Sequence, residues 1–239
     1  MSPSRASPEV RFGDLAFVVE ALAADVEAEA RHALAQREVF TIAIPGGSVA
    51  RNCFAKLSGL ELDWSMVEFF WVDERAVPPT SPDSNYALAR SLWLEPAGVP
   101  AERIHRMRGE AAELDRAARE YADELATVAG TPPRLDYVLL GVGPDGHVAS
   151  LFPRHPNPPG GRSVLAIDDA PRAPSRRLSL SLPALTNATR TVFVAFGEEK
   201  AGVIREALEN DASALPVAQV ARGARQSVFL LDRAAAGRS

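Results

Sequence analysis

Cysteine, lysine and long apolar runs are scarce in this sequence, and each scarcity excludes something. The only cysteine is Cys53, so no disulfide forms within the chain and a cysteine-rich zinc or iron–sulfur centre is excluded. No run approaches the ~18 consecutive apolar residues of a membrane-spanning helix. Met1–Arg11 (MSPSRASPEVR) also lacks the apolar core of a signal peptide, and cytoplasmic residence is expected. Positive charge is in deficit too. A net charge of −5 and a pI near 5.5 give no overall field to draw DNA, RNA or an anionic membrane. No nucleic-acid or membrane partner is therefore expected, and an anionic ligand has to be held by local positive groups. Lys56 and Lys200 are the only lysines, arginine carrying the remaining basic charge.

What the chain does have is the composition of a globular protein, 46% hydrophobic and 24% charged over 239 residues. Residues 14–36 place Leu15, Val18, Val19, Leu22 and Val26 at spacings of three and four, an amphipathic helix with Asp14 as its cap. Val39–Ile44, Val67–Val72 and Asp136–Leu140 are short apolar runs that end in loop chemistry, as strands buried on both faces of a parallel sheet do. Helices are expected over Ser48–Leu57, Asp83–Leu94 and Ala111–Val128. Further strands are expected at Val164–Ile167, Leu178–Leu182, Thr191–Phe196 and Ser227–Leu231. This alternation predicts an α/β fold, a Rossmann-like, mostly parallel sheet flanked by helices. No repeat of fixed period and no Ser/Gly linker divides the chain, so a single domain over 1–239 is expected. Pro153–Arg162 (PRHPNPPGGR) is an exposed connector by composition, and its position makes it a candidate lid.

In open parallel sheets ligands bind beyond the carboxyl ends of strands, which directs attention to three loops. Pro45-Gly46-Gly47-Ser48 joins a strand to a helix through two glycines and ends at an N-cap hydroxyl. Such a turn lets backbone N–H groups and the positive helix end approach a phosphate, although many Gly-Gly-Ser turns are only turns. Asp73-Glu74-Arg75 packs three charges directly after an apolar run, with Asp83-Ser84-Asn85 following. These charges belong either to a site or to a local network in which Asp73 or Glu74 pairs with Arg75 and Asp83 caps the next helix.

The third loop, Gly141-Val142-Gly143-Pro144-Asp145-Gly146-His147, frames an acid and an imidazole two residues apart at the head of a helix-like stretch, Val148–Leu151. An Asp that orients a His, and a His of near-neutral pKa that takes a proton from water, form a recurrent hydrolytic pair. The other histidines fit less well: His32 lies within a helix, His105 between scaffold elements and His155 in the proline-rich loop. Arg177 opens the strand RLSLSL, and Lys200 sits early in a helix, where the dipole disfavours a cation unless an anion or a neighbouring Glu198 or Glu199 accompanies it.

In order, the segments PGGS, VDERAVPPTSPDSN, LLGVGPDGHVASLFP, RLSLSLPAL and GEEKA resemble the 6-phosphogluconolactonase family, within the larger sugar-phosphate isomerase and deaminase fold group. The resemblance runs from Val39 to about Val220. It implies hydrolysis of a small phosphosugar lactone, 6-phosphoglucono-δ-lactone, to 6-phosphogluconate in the oxidative pentose phosphate pathway, with no organic cofactor and no metal. It implies His147 as general base, Asp145 orienting the imidazole or touching sugar hydroxyls, and Arg75 holding substrate or offsetting charge. The phosphate would lie against Gly46, Gly47 and Ser48, with Arg177 and Lys200 around it. Asp73, Glu74, Asn85, Gly143 and Gly146 complete the expected substrate site. Two departures stand out: Val49 and Ala50 replace the Thr-Pro of the usual first loop, and Pro144 replaces a common acid.

Two other functions compete. A glucosamine-6-phosphate deaminase or isomerase shares the fold and the Asp-Gly-His loop, and Asp73 would be its enolising base. Those enzymes, however, follow that loop with Ala-Phe-Asn-Glu-Pro, and Ala149-Ser150-Leu151-Phe152-Pro153 has no acid. A sugar-phosphate sensor would carry a DNA-binding domain, for which the 38 residues before the first expected strand leave no room. Nothing in the sequence sets an oligomeric state.

Overall fold

Strands with both faces buried have to be covered by helices on each side, and the apolar runs of this chain enforce that arrangement. The computed structural model describes residues 7–155 and 161–238. The chain begins with β1 (Glu9–Gly13), α1 (Leu15–Gln36), β2 (Phe40–Ile44), α2 (Gly47–Leu57), β3 (Val67–Trp71) and β4 (Asp73–Arg75). It continues through α3 (Asn85–Ala89) with a π-helical extension (Arg90–Leu94), α4 (Leu114–Ala129), β5 (Tyr137–Gly141), β6 (Val164–Ile167) and β7 (Arg177–Leu180). It ends with α5 (Leu182–Thr186), β8 (Arg190–Ala195), α6 (Ala201–Glu209), α7 (Pro216–Gly223) and β9 (Ser227–Asp232).

Six strands form one parallel sheet in the order β1-β9-β8-β5-β2-β3. Every residue of β2 and β3 is buried. Helix α1 starts where Asp14 accepts the Phe17 N–H at 2.8 Å, as expected, and its Val18, Leu22 and Val26 form a stripe at four-residue spacing. Each such aliphatic side chain, fully buried, contributes about 1.5–3 kcal/mol. The chain leaves β2 for β3 on one side and β5 for β8 on the other, so the strand order reverses between β2 and β5. At such a switch point the two following loops part and leave a crevice.

A second sheet closes that crevice. Beyond β3, Val72 donates its N–H to the Ile44 carbonyl and accepts from Leu180 N–H. The chain thereby passes into a three-stranded antiparallel sheet ordered β4-β7-β6, over which α4 packs.

Several expectations change at this point. Asp73–Arg75, read as loop, is strand β4, because β7 supplies a ladder partner that no local pattern announces. The strands at Val164–Ile167 and Leu178–Leu182 exist, the second as Arg177–Leu180, but they are antiparallel and outside the main sheet. Strand β1 was not expected: an edge strand of alternating polarity has no buried run to reveal it. Ser84, not Asp83, caps α3 by accepting Ala87 N–H at 3.1 Å. Val148–Leu151 is a tight turn rather than a helix, since Ala149 has φ of +50° and Leu151 N–H returns to the Val148 carbonyl. Of the candidate lid Pro153–Arg162, residues 156–160 lie outside the described residues.

Away from the crevice, His105 stacks on Phe70 with ring centres 4.4 Å apart. Its Nε2 meets Glu68 and its Nδ1 meets Glu124, both at 2.7 Å, while Arg103 also pairs with Glu68. A neutral imidazole has one N–H and satisfies only one of these carboxylates; the imidazolium satisfies both. Burial alone pulls the His105 pKa down, but the two carboxylates outweigh it and the net direction is up. The folded value thus exceeds the unfolded ~6.5. The stability His105 adds is complete below that pH and is lost as pH rises through the folded value. Urea titrations of the wild type and His105→Gln should show the stability gap widest near pH 6 and narrowing at alkaline pH. A gap that widens with pH would mean the imidazole is held neutral.

Candidate active site

The crevice is lined from four directions by residues that the sequence separates widely. From β2, Pro45 and Gly46 lead into α2, which begins at Gly47, so Ser48 lies in the first turn and is not its cap. Gly46 occupies the N-cap position with no side-chain hydrogen bond, leaving the first-turn N–H groups and the positive helix end facing the crevice. A Cβ on Gly46 would fall 1.8 Å from Asn85 Oδ1, and Gly47 has φ of +65°. This turn therefore requires both glycines.

Strand β4 supplies the second wall. Alternation along it sends Asp73 and Arg75 into the crevice and Glu74 to the other face. Asp73 is buried, accepts Ser150 Oγ–H at 2.7 Å and Asn85 Nδ2–H at 3.1 Å, and lies 3.8 Å from the Arg177 guanidinium. Arg75 donates from one terminal nitrogen to the Asp83 carbonyl at 2.9 Å, and its buried Nε has no hydrogen-bond partner among the described residues. Glu74 does not reach the crevice. It accepts the N–H groups of Arg75, Asn85 and Tyr86 and the Ser84 hydroxyl, and so fixes the turn that presents Asn85. Burial pushes the Glu74 pKa up in spite of these four donors. Of the two alternatives for these charges, the local network is not found: among the described residues the Arg75 side chain forms no ion pair with Asp73 or Glu74.

The glycine loop after β5 supplies the third. Gly143 N–H donates to the His147 carbonyl and Gly146 N–H to the Gly143 carbonyl, each at 2.9 Å, which folds the loop on itself. A Cβ on Gly143 would lie 2.0 Å from His147 Nδ1. Gly146, at φ +81°, is packed against Leu215 and does not line the crevice; its role is the turn. Within this loop Asp145 Oδ1 lies 2.5 Å from His147 Nδ1. That contact sets the proton on Nδ1 and leaves Nε2 as the imidazole's open lone pair in the crevice wall. Phe152 packs on the imidazole at 4.7 Å between ring centres. Arg172, in the β6–β7 loop, brings its Nε to 3.6 Å from Asp145 Oδ2.

Burial is the main reason the His147 pKa lies below the ordinary histidine value. Asp145 and Asp73 oppose the shift and Arg172 adds to it. Asp145 is held below the usual carboxylate range: burial acts against this, but the bond to His147 and the Arg172 cation prevail.

Two cations form the fourth wall. Arg177 is buried, with its Nε donating to the Pro174 carbonyl and a terminal nitrogen to the Arg172 carbonyl, while its guanidinium lies over the Phe152 ring at 5.6 Å. Lys200, in the turn before α6, is also largely buried and stands 3.7 Å from the Glu199 carboxylate, the alternative its neighbours suggested. The fold thus gathers Gly46, Gly47, Ser48, Asp73, Arg75, Asn85, Gly143, His147, Arg177 and Lys200 at one crevice, with Asp145 directly behind the imidazole. Ser150, Phe152 and Arg172 were missed. Ser150 and Phe152 belong to the segment that carries the Asp-Gly-His pattern, whereas Arg172 has no local signal and only the antiparallel sheet brings it near. Chemically, the crevice offers a proton acceptor, three cations and a helix N-terminus, a set suited to a substrate that is anionic at one end and attacked by water at the other.

Comparison with known proteins gives three findings. The family model described as glucosamine-6-phosphate isomerases/6-phosphogluconolactonase matches residues 14–229. The 6-phosphogluconolactonase of Streptomyces coelicolor is 35% identical over 237 residues, covering 93% of this chain and 91% of that protein. Among solved structures, the 6-phosphogluconolactonase of Trypanosoma brucei superposes with a TM-score of 0.85 at 28% identity over 98% of this chain and 99% of its own. A monomeric glucosamine-6-phosphate deaminase reaches a TM-score of 0.81 over 96% of this chain and 99% of its own, but at 16% identity, a likeness of fold alone.

The electrostatics of the histidine can be tested without substrate. In NMR titrations His147 should change protonation at a pH below the ~6.5 of a free histidine. Arg172→Ala should move that midpoint upward, because a cation that disfavours the imidazolium is removed. An unmoved midpoint in the variant would show that Arg172 exerts no field on the pair.

Proposed function

The chain belongs to the glucosamine-6-phosphate isomerase/6-phosphogluconolactonase family, and we propose that within it the protein is a lactonase that hydrolyses 6-phosphoglucono-δ-lactone to 6-phosphogluconate. The observation that carries this reading is the His147–Asp145 pair, with Nδ1 engaged at 2.5 Å and Nε2 left open on the crevice that also holds Arg177, Lys200 and the uncapped α2 terminus.

A lactone is an activated ester, so the chemical demand is modest: hold the substrate, take a proton from water and stabilise the tetrahedral oxyanion. The phosphate rests against the backbone of Gly46, Gly47 and Ser48, with Lys200 and Arg177 neutralising it. This fixes the lactone carbonyl beside His147. Nε2 accepts a proton as the water oxygen bonds to the carbonyl carbon, and the Asp145 carboxylate stabilises the imidazolium. Arg75, whose Nε has no partner among the described residues, offers a positive group to the developing oxyanion or the product carboxylate. The oxyanion then reforms the carbonyl and the ring C–O bond breaks. The imidazolium returns its proton to the departing sugar oxygen, which regenerates the base. No organic cofactor or metal enters this sequence, and a cytoplasmic, small-molecule role accords with it.

The deaminase alternative needs a carboxylate free to enolise a sugar. Among the described residues Asp73 is the one carboxylate in the crevice wall, and its oxygens are engaged by Ser150 and Asn85, with Arg177 close by. This favours the lactonase. A sensor would bind the same ligand without turnover.

The test is a lactonase assay on freshly prepared 6-phosphogluconolactone, corrected for spontaneous hydrolysis at each pH and run beside a glucosamine-6-phosphate deaminase assay. Activity in the second alone would overturn the proposal, and binding without turnover would leave the sensor. His147→Asn should lower kcat by about 10²–10⁴ with little change in KM. Wild-type kcat should rise with pH through a limb below ~6.5, because His147 must be neutral to act and its pKa is lowered. That limb should be absent from the variant. Lys200→Ala should act differently, raising KM more than it lowers kcat, since the phosphate contact is shared by ground and transition states. An unchanged KM would remove Lys200 from the phosphate site.

A further inference from the structure

Among the described residues, the exposed large hydrophobic side chains all fall within positions 10 to 17: Val10 and Phe12 on β1, Leu15 and Phe17 at the start of α1, each 41–49% exposed. The same segment is the open edge of the main sheet. Among the described residues strand β1 pairs with β9 on one side only, so its other side presents backbone N–H and C=O groups with no ladder partner there. An exposed edge flanked by apolar side chains is a template for another strand. The two faces of β1 differ sharply. Val10 and Phe12 share one face with Ala201 and Leu208 of α6 beside them. Glu9 and Arg11 share the other, paired to each other at 2.7 Å, with Arg11 also 4.0 Å from Asp25 of α1.

We propose that β1 is the contact surface between two copies of this chain, joined edge to edge about a two-fold axis into one continuous sheet. The charges argue for a second copy and also set its register. A two-fold axis normal to the sheet makes the two β1 strands antiparallel and opposes side chains of the same face. One register that preserves most of the overlap is centred on Arg11; it sets the two arginines against each other and leaves Glu9 opposite Gly13. The other is centred on Val10. It sets Glu9 against Arg11 of the second copy twice over, Val10 against Val10, and Phe12 against Pro8. Opposite charges directly across a ladder stabilise it and like charges destabilise it, so the register centred on Val10 is selected. Leu15 and Phe17, at the start of α1 just beyond β1, then flank the joint. Phe17 is already seated over Gly13, where a Cβ would meet its ring at 2.5 Å.

This inference does not depend on the catalytic reading, since none of its residues lines the crevice. Sedimentation velocity on the full chain across the micromolar range should show a concentration-dependent species of twice the 25.6 kDa chain mass. Phe12→Lys should shift it to monomer. Glu9→Arg alone and Arg11→Glu alone should each weaken dimerisation by about tenfold, as two cross-strand pairs become like-charged. The double exchange Glu9→Arg/Arg11→Glu should restore it. Circular dichroism and thermal melting identify any variant that fails to fold. Should Phe12→Lys be one, the charge exchange still decides. A wild type that stays monomeric overturns the proposal, as does a dimer indifferent to all three single changes. A double exchange that fails to recover overturns the register centred on Val10.

Discussion

The buried carboxylate of Asp73 is the node on which the crevice depends. It sits where the chain passes from the parallel sheet into the antiparallel one. It engages the glycine-loop segment through Ser150 and the α3 entrance through Asn85, with Arg177 of β7 nearby. A carboxylate removed from water needs such partners, because leaving one unsatisfied in a buried site costs on the order of 1–3 kcal/mol or more. The same requirement works in reverse. Each partner is held in place by the carboxylate, and Asn85 in turn fills the space that a side chain at Gly46 would need. One buried charge therefore sets the spacing between the α2 terminus, the glycine loop and the second sheet.

On the lactonase reading proposed above, the crevice separates two tasks around that node. Anion holding would fall to groups with little freedom left: Arg177 is fixed by the carbonyls of the 172–174 loop and by the Phe152 ring, and the α2 N–H groups are part of the backbone. Proton transfer would fall to His147, which is clamped on Nδ1 and open on Nε2. Phe152 touches both centres, the imidazole on one side and the Arg177 guanidinium on the other. Arg172 bridges them differently: its carbonyl anchors Arg177 while its guanidinium faces Asp145. The β6–β7 loop thus ties the field at the His147–Asp145 pair to the position of the Arg177 guanidinium, through residues 172–174.

The readable parts of this arrangement were those with a local physical signal. Buried strands β2, β3 and β5 were legible as apolar runs, and the loops after them as glycines and charges that no strand end needs for packing. The parts that could not be read were those created by pairing across sequence distance. Asp73–Arg75 becomes a strand only because β7 lies alongside it, which makes position 74 face inward as a structural bracket and leaves 73 and 75 for the crevice. The three adjacent charges gave no hint of that alternation. Similarly, the Val148–Leu151 stretch has helical composition, but Ala149 adopts positive φ to return the chain beneath Asp73, where Ser150 makes its bond.

This last point bears on why one fold serves more than one chemistry. A deaminase of low sequence identity shares the topology almost over its full length, so the sheet and its switch point place a crevice without specifying what reacts in it. The reaction then depends on which carboxylates are free. In this chain the carboxylate next to the imidazole serves as its hydrogen-bond acceptor, and the carboxylate in the crevice wall is consumed by structure. The segment following the Asp-Gly-His loop contributes a serine to Asp73 and a phenylalanine to the imidazole, neither of which can abstract a carbon-bound proton. What remains unengaged is one imidazole nitrogen, a weak base matched to water attacking an activated carbonyl and poorly matched to enolising a sugar. On the lactonase reading, the hydrogen-bond occupancy of this crevice is what disfavours enolisation, and the short turn at Ala149 is the backbone feature that sets that occupancy.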